Sequence, residues 1–166
     1  MRAFIGIDPG LSGGLALIGE DGALIQAVPM PRLQGSSGPL DMYAIKEWFA
    51  WTKRSYSVSA AIERVSVRPK EGIRSALTTG TNWGFIKGML IAISARHEEP
   101  TPQQWKKELG LPKRPGSERK LAKQDAVVLA NRLFPGIDLT PGRKRVPHDG
   151  MADAVLIAEY ARRKLS

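Results

Sequence analysis

Residues 2–8 read RAFIGID, and Pro9-Gly10 follow. Ala3, Phe4, Ile5 and Ile7 make an apolar run of strand type, and the run ends on a carboxylate, Asp8. Asp-Pro-Gly is good turn chemistry, so Asp8 has two readings: it stops the strand, or the strand holds it rigidly beside something positive. The choice between them depends on what the rest of the chain places in similar positions.

Two further apolar runs follow closely, GGLALIG (13–19) and GALIQAVP (22–29), divided by Gly-rich and Asp-Gly turns, which predicts a three-stranded antiparallel meander. Helical periodicity takes over in PLDMYAIKEWFAWTKR (39–54), with Met42, Ile45, Phe49 and Trp48 as its apolar stripe. SVSAAIERV (57–65) reads as a further strand, followed by the basic loop SVRPKEG (66–72). IRSALTTGTNWGFIKGMLIAISARH (73–97) reads as one long helix despite its glycines. GSERKLAKQDAVVLANRLFPG (116–136) reads as another, with Ser117 at its start and Pro-Gly past its end, and a last helix is predicted over 149–164. Strands first, then strand and helices in alternation, give an α/β or mixed α+β sheet covered by helices. LGLPKRPGS (109–117) and TPGRKRVPHDG (140–150) read as loops that order on a ligand or as plain linkers.

The 166 residues suit a single domain, with 42% hydrophobic and 25% charged residues. No segment approaches the roughly 20 apolar residues of a membrane span, and the N-terminus has no export signal, so a soluble, non-secreted protein is expected. There are no cysteines, so any metal must sit on oxygen or histidine. The formal net charge is +9, and residues 101–145 hold eleven Lys or Arg against four acids. Basic residues concentrated in one region are the footprint of a polyanionic partner, nucleic acid above all, with a merely solubilising surface as the plain alternative.

AAIERV (60–65) supplies the second acid, Glu63, again at the end of an apolar run. HDGMADAVLIAEY (148–160) supplies Asp149 and Asp153, four residues apart and so on nearly the same side of a helix. Alone, such a pair is more often an exposed acidic face or N-terminal charge favourable to the helix dipole. Together, Asp8, Glu63, Asp149 and Asp153 form an all-oxygen set suited to two Mg²⁺ or Mn²⁺ ions. In so basic a protein, the matching chemistry is two-metal phosphodiester hydrolysis.

IGIDPGLSGG (5–14), IERV (62–65), TPQQWKKELG (101–110) and HDGMADAVLIAEY, in this order and spacing, resemble the RuvC-like Holliday junction resolvases of the RNase H-like superfamily. The resemblance implies an RNase H-like α/β fold with a five-stranded mixed sheet flanked by helices. It also implies a homodimer that places paired nicks across a four-way DNA junction, and a cytoplasmic location in a prokaryote or phage-infected cell, with branch-migration machinery as a conceivable partner. The four family acids map onto Asp8, Glu63, Asp149 and Asp153. Bacterial members have their last two ligands three residues apart; the four-residue spacing here is similar to the chloroplast and phage-type branch. Bacterial members also carry a wedge aromatic shortly after the glutamate, where this chain has Ser66 and no aromatic. Arg68, Lys70, Lys106, Lys120 and Lys123 lie in the regions the family uses for DNA contacts, and His148 is a candidate to assist a water or ligate metal, or else a structural histidine.

Three other functions fit parts of the sequence. DPGLS (8–12) also matches the phosphate loop of actin-like ATPases, which need two such lobes around a nucleotide. An RNase H-like nuclease of the ribosomal RNA processing type fits the same acids. A junction-binding protein without catalysis fits the charge, but four acids near a phosphate oppose binding unless a metal is present. Gly80, Gly84 and Gly88 recur every four residues on one predicted helix face, which is expected to pack on the protein's own sheet or a neighbouring helix, with a dimer contact as the alternative.

Overall fold

The computed structural model describes residues 1–34, 38–66, 72–142 and 145–166. The elements in chain order are β1 (Arg2–Asp8), β2 (Gly14–Gly19), β3 (Leu24–Pro29), α1 (Met42–Ser55), β4 (Ser57–Ile62), α2 (Ile73–Ala92), β5 (Arg96–Glu98), α3 (Pro102–Glu108), a 3-10 turn at Gly116–Glu118, α4 (Arg119–Leu133) and α5 (Asp149–Leu165). The five strands form one sheet in the order β3-β2-β1-β4-β5. β1, β2 and β3 are the expected antiparallel meander, while β4 joins β1 and β5 joins β4 in parallel.

The two-residue period of β1 decides what lies on each face. Ala3, Ile5 and Ile7 point into a core shared with Ile45 and Phe49 of α1 and Ile86 and Leu90 of α2. Phe4 points the other way, into a core built with Trp105 of α3, Leu129 of α4 and most of α5. Helices thus cover both faces of the mixed sheet, which is the α/β architecture expected.

α5 runs close behind β1 because the contact is made of backbone. A β-carbon at Gly6 would collide with the backbone of Ala154 and Ala158, and one at Gly150 with that of Ser12 and Gly13. These two glycines let the helix approach the strand more closely than any side chain would permit. The helix is buried over nearly its whole length, with Ala152, Ala154, Ala158 and Ala161 against the sheet and α4.

Several sequence expectations are corrected. The predicted helix 73–97 ends at Ala92; Ser94 takes a positive φ of 54°, and the next residues form β5, the fifth strand. The chain reverses at the helix end, so Arg96–Glu98 extends the sheet instead of the helix. In α1, Met42 is exposed and Thr52 takes its place in the buried set beside Ile45, Trp48 and Phe49. Ser117 lies in the 3-10 turn, and α4 begins without a side-chain cap. Gly80, Gly84 and Gly88 do not pack on the protein's own sheet or a neighbouring helix, since no described residue lies within 4 Å of a β-carbon built on any of them. The loop 109–117 is anchored, because Arg114 bonds both oxygens of Asp125 (2.5 and 3.2 Å) and also Glu118 (3.0 Å). α3 was not anticipated as an element; Thr101 and Gln104 close a full capping box at its start, with Pro102 in the first turn.

Candidate active site

The parallel register Ile7↔Ile62 leaves Asp8 and Glu63 as the next residues of adjacent strands, so both acids stand side by side at the same sheet edge. The Glu63 N–H continues the ladder by donating to the Ile7 carbonyl at 2.9 Å. α5 begins at that edge, brought in by Gly150, and carries Asp149 in its first turn and Asp153 one turn later. All four acids line one cleft of about 720 Å³, together with Ser12, Thr79, Lys106, Arg119 and Lys123.

Asp8, Glu63 and Asp153 open into this cleft yet are otherwise surrounded by protein. Burial, and then the charge of neighbouring acids, holds all three above the usual carboxylate range, with Glu63 and Asp153 pushed up to about 7. Asp8 also accepts the Gly10 N–H at 3.1 Å, which pulls in the opposite direction. Lys106 acts on all three acids as a counter-charge. Among the described residues, Lys106 faces all three acids and Lys123 faces Asp8 as well, and three mutually repelling carboxylates gathered in one cleft suit divalent cations bound by oxygen.

Asp149 behaves differently. Its burial is partial and the upward push is more than offset by an ion pair with Lys123, so its carboxyl lies below the ordinary value. Glu63 is likewise held to the wall, its Oε2 accepting the Trp105 indole N–H at 2.7 Å. Among the described residues, no three His, Cys, Asp or Glu side chains converge on one point as they stand. Asp149 is drawn aside by Lys123.

Of the basic candidates, Lys106 and Lys123 line the cleft, whereas Lys120 is exposed on α4 and does not. Arg68 and Lys70 lie outside the described residues. His148 caps α5, its Nδ1 accepting the Met151 N–H at 3.2 Å, so the ring serves the helix that carries Asp149 and Asp153. Sequence reasoning missed Arg119, Thr79 and the role of Trp105. Arg119 sat in plain view within the basic region, one residue from Lys120, and the turn of α4 decides which of them meets the cleft.

No family model matches the chain, and no curated protein matches it significantly in sequence. Solved structures do match. Thermus thermophilus RuvC in complex with a Holliday junction substrate superposes with a TM-score of 0.63, covering 99% of this chain and 97% of that one at 17% identity. A second T. thermophilus RuvC structure gives a TM-score of 0.60 over 94% of this chain and 90% of that one at 18% identity. The fold is RuvC-like. Within this RuvC-like, RNase H-like architecture, the edge where β1, β4 and α5 meet carries the acids identified from the sequence.

Proposed function

We propose that the protein is a structure-specific DNA endonuclease, a Holliday junction resolvase that nicks four-way junctions by metal-dependent phosphodiester hydrolysis. The observation that carries this reading is the meeting of Asp8, Glu63 and Asp153, from three separate elements, in one cleft where Lys106 is a counter-charge to all three. The RuvC-like fold and the +9 charge support it.

Asp8, Glu63 and Asp153 would hold Mg²⁺ or Mn²⁺, two ions per site, with Asp149 joining after exchanging Lys123 for a cation. Bound, such ions supply Lewis acidity at the phosphodiester and acidify a water. The chain's own residues would do the rest: Lys106 and Arg119 line the same cleft and would pair with a phosphate there, and Lys123, once released by Asp149, would become a third cation for it. The four-residue spacing of Asp149 and Asp153, on one side of a helix start, is consistent with the chloroplast and phage-type branch.

The proposed enzyme is a homodimer of single nuclease domains, each residues 1–166. The exposed face of α2 supports this, because Ile73, Leu77, Gly80, Gly84, Gly88 and Ile91 fall on one stripe opposite its buried Asn82, Ile86 and Leu90. Ile73 is 87% and Leu77 69% exposed, so the stripe is an apolar surface that no described residue covers. A second copy, meeting it along the glycines, would bring backbones close and set two clefts for paired nicks.

The test is a comparison of substrates by the pure protein in Mg²⁺: a synthetic four-way DNA junction, linear duplex DNA, RNA and an RNA–DNA hybrid. Symmetric nicks confined to the junction are expected. Preferential cleavage of RNA or hybrid would replace the reading with an RNA-processing nuclease.

A further inference from the structure

Glu63 leaves β4 with a side chain long enough to lie along the cleft wall or to reach into it. The wall on its side is Trp105, which is fully enclosed by the core of α4 and α5. Its indole N–H donates to Glu63 Oε2 at 2.7 Å, and the Lys106 ammonium lies 5.0 Å from the centre of its ring. α3, which carries both residues, is only seven residues long, yet its start is locked by the reciprocal bonds between Thr101 and Gln104, 2.8 and 3.3 Å. A tryptophan serving the core alone would spend its N–H on a backbone carbonyl or a neutral side chain. This one spends it on an ionisable acid of the cleft.

We infer that Trp105 is a positioning residue of the site and sets its preference among divalent cations. The inference rests on the proposed metal site. With Oε2 engaged by the indole, Glu63 has one oxygen, Oε1, to offer a cation, and its rotamer is fixed before the cation arrives. A carboxylate limited to one oxygen suits the compact octahedral demand of Mg²⁺; Ca²⁺, larger and more highly coordinated, gains from carboxylates free to chelate with both oxygens. The same ring holds Lys106 against the acids through its face, a separate contact that a phenyl ring retains.

The test uses Trp105→Phe, which removes the N–H and keeps an aromatic face for packing and for Lys106. Mg²⁺ and Ca²⁺ binding to the DNA-free protein is measured by calorimetry. The expected result is a loss of Mg²⁺ affinity of about tenfold or more, the scale for groups that orient metal ligands. Ca²⁺ affinity falls less, so the Mg²⁺ to Ca²⁺ preference narrows, and the Mg²⁺ concentration for half-maximal nicking rises with a smaller change in the saturating rate. Unchanged binding, or equal loss for both ions, overturns the inference. A second measurement needs no folded Trp105 variant: the indole ¹H–¹⁵N signal of Trp105 should shift in Glu63→Gln and on adding Mg²⁺ to the wild type, and a signal indifferent to both overturns it too. If the wild type binds no Mg²⁺, or Glu63→Gln binds it as well as the wild type, the metal site itself fails. If Glu63→Gln loses the ion while Trp105→Phe keeps it unchanged, only the role of Trp105 falls.

Discussion

Asp8 and Glu63 each end an apolar run, and that made them visible in the sequence, because an ionisable group among buried residues needs a reason; Asp153 was visible by its helical spacing from Asp149. Their cost is measurable. Glu63 and Asp153, pushed up to about 7 from 4.5 and 3.8 by burial first and like charge second, are protonated in the folded protein well above the pH at which they ionise when unfolded. The folded state therefore has the advantage at low pH, and that advantage is lost as pH rises through about 7. In EDTA, Tm followed by scanning calorimetry should fall between pH 5 and pH 8, Mg²⁺ should restore it at pH 8, and Asp153→Asn should flatten the dependence. A Tm in EDTA that climbs steadily to pH 8 would contradict the burial of these acids. Asp149, paired with Lys123 and held below its ordinary value, belongs to a different class, so Asp149→Asn should slow single-turnover nicking less than Asp153→Asn does. Trp105 was not legible as part of the site, because a hydrogen bond to a residue 42 positions away leaves no periodic trace in either segment.

The elements most readable from the sequence were those with uninterrupted periodicity. β1 was expected at the residues where it lies, and α5 to within a residue at its end. β5 was hidden because three residues are too few to show a period and the helical pattern of α2 runs straight into them. α2 also misled in its packing: glycines on one face suggest a close internal neighbour, and no described residue lies against that face. Two predictions belong to this scale. Gly6→Val inserts atoms where the α5 backbone already lies, and should destabilise the fold by at least about 1–3 kcal/mol in urea titration, as overpacking does. Leu77→Glu puts a charge in the bare stripe, and sedimentation should then find monomers with normal thermal stability, whereas a wild-type protein that is already monomeric at working concentration would remove α2 as the dimer face.

For the whole molecule, charge was legible in total and less so in its distribution. Residues 101–145 are strongly basic, yet Arg114 is committed to Asp125 and Glu118, so the cations free to meet a polyanion are fewer than the count implies. Junction affinity by gel shift should still fall steeply with salt, because cations such as Lys106 and Arg119 displace counterions from phosphates, and Lys106→Ala should reduce that slope. The mixed sheet brings strand ends, a helix start and a basic wall to one edge, where a phosphodiester could meet acids and cations together. The most direct measurement is single-turnover nicking of a four-way DNA junction in Mg²⁺ by the wild type and by Asp153→Asn, with junction binding by gel shift on the same preparations. The expected outcome is junction binding at least as tight in the variant, with nicking slower by about 10² to 10³, the scale of losing a principal electrostatic group from an active site. Nicking by a folded Asp153→Asn at close to the wild-type rate would remove Asp153 from the site and contradict the account.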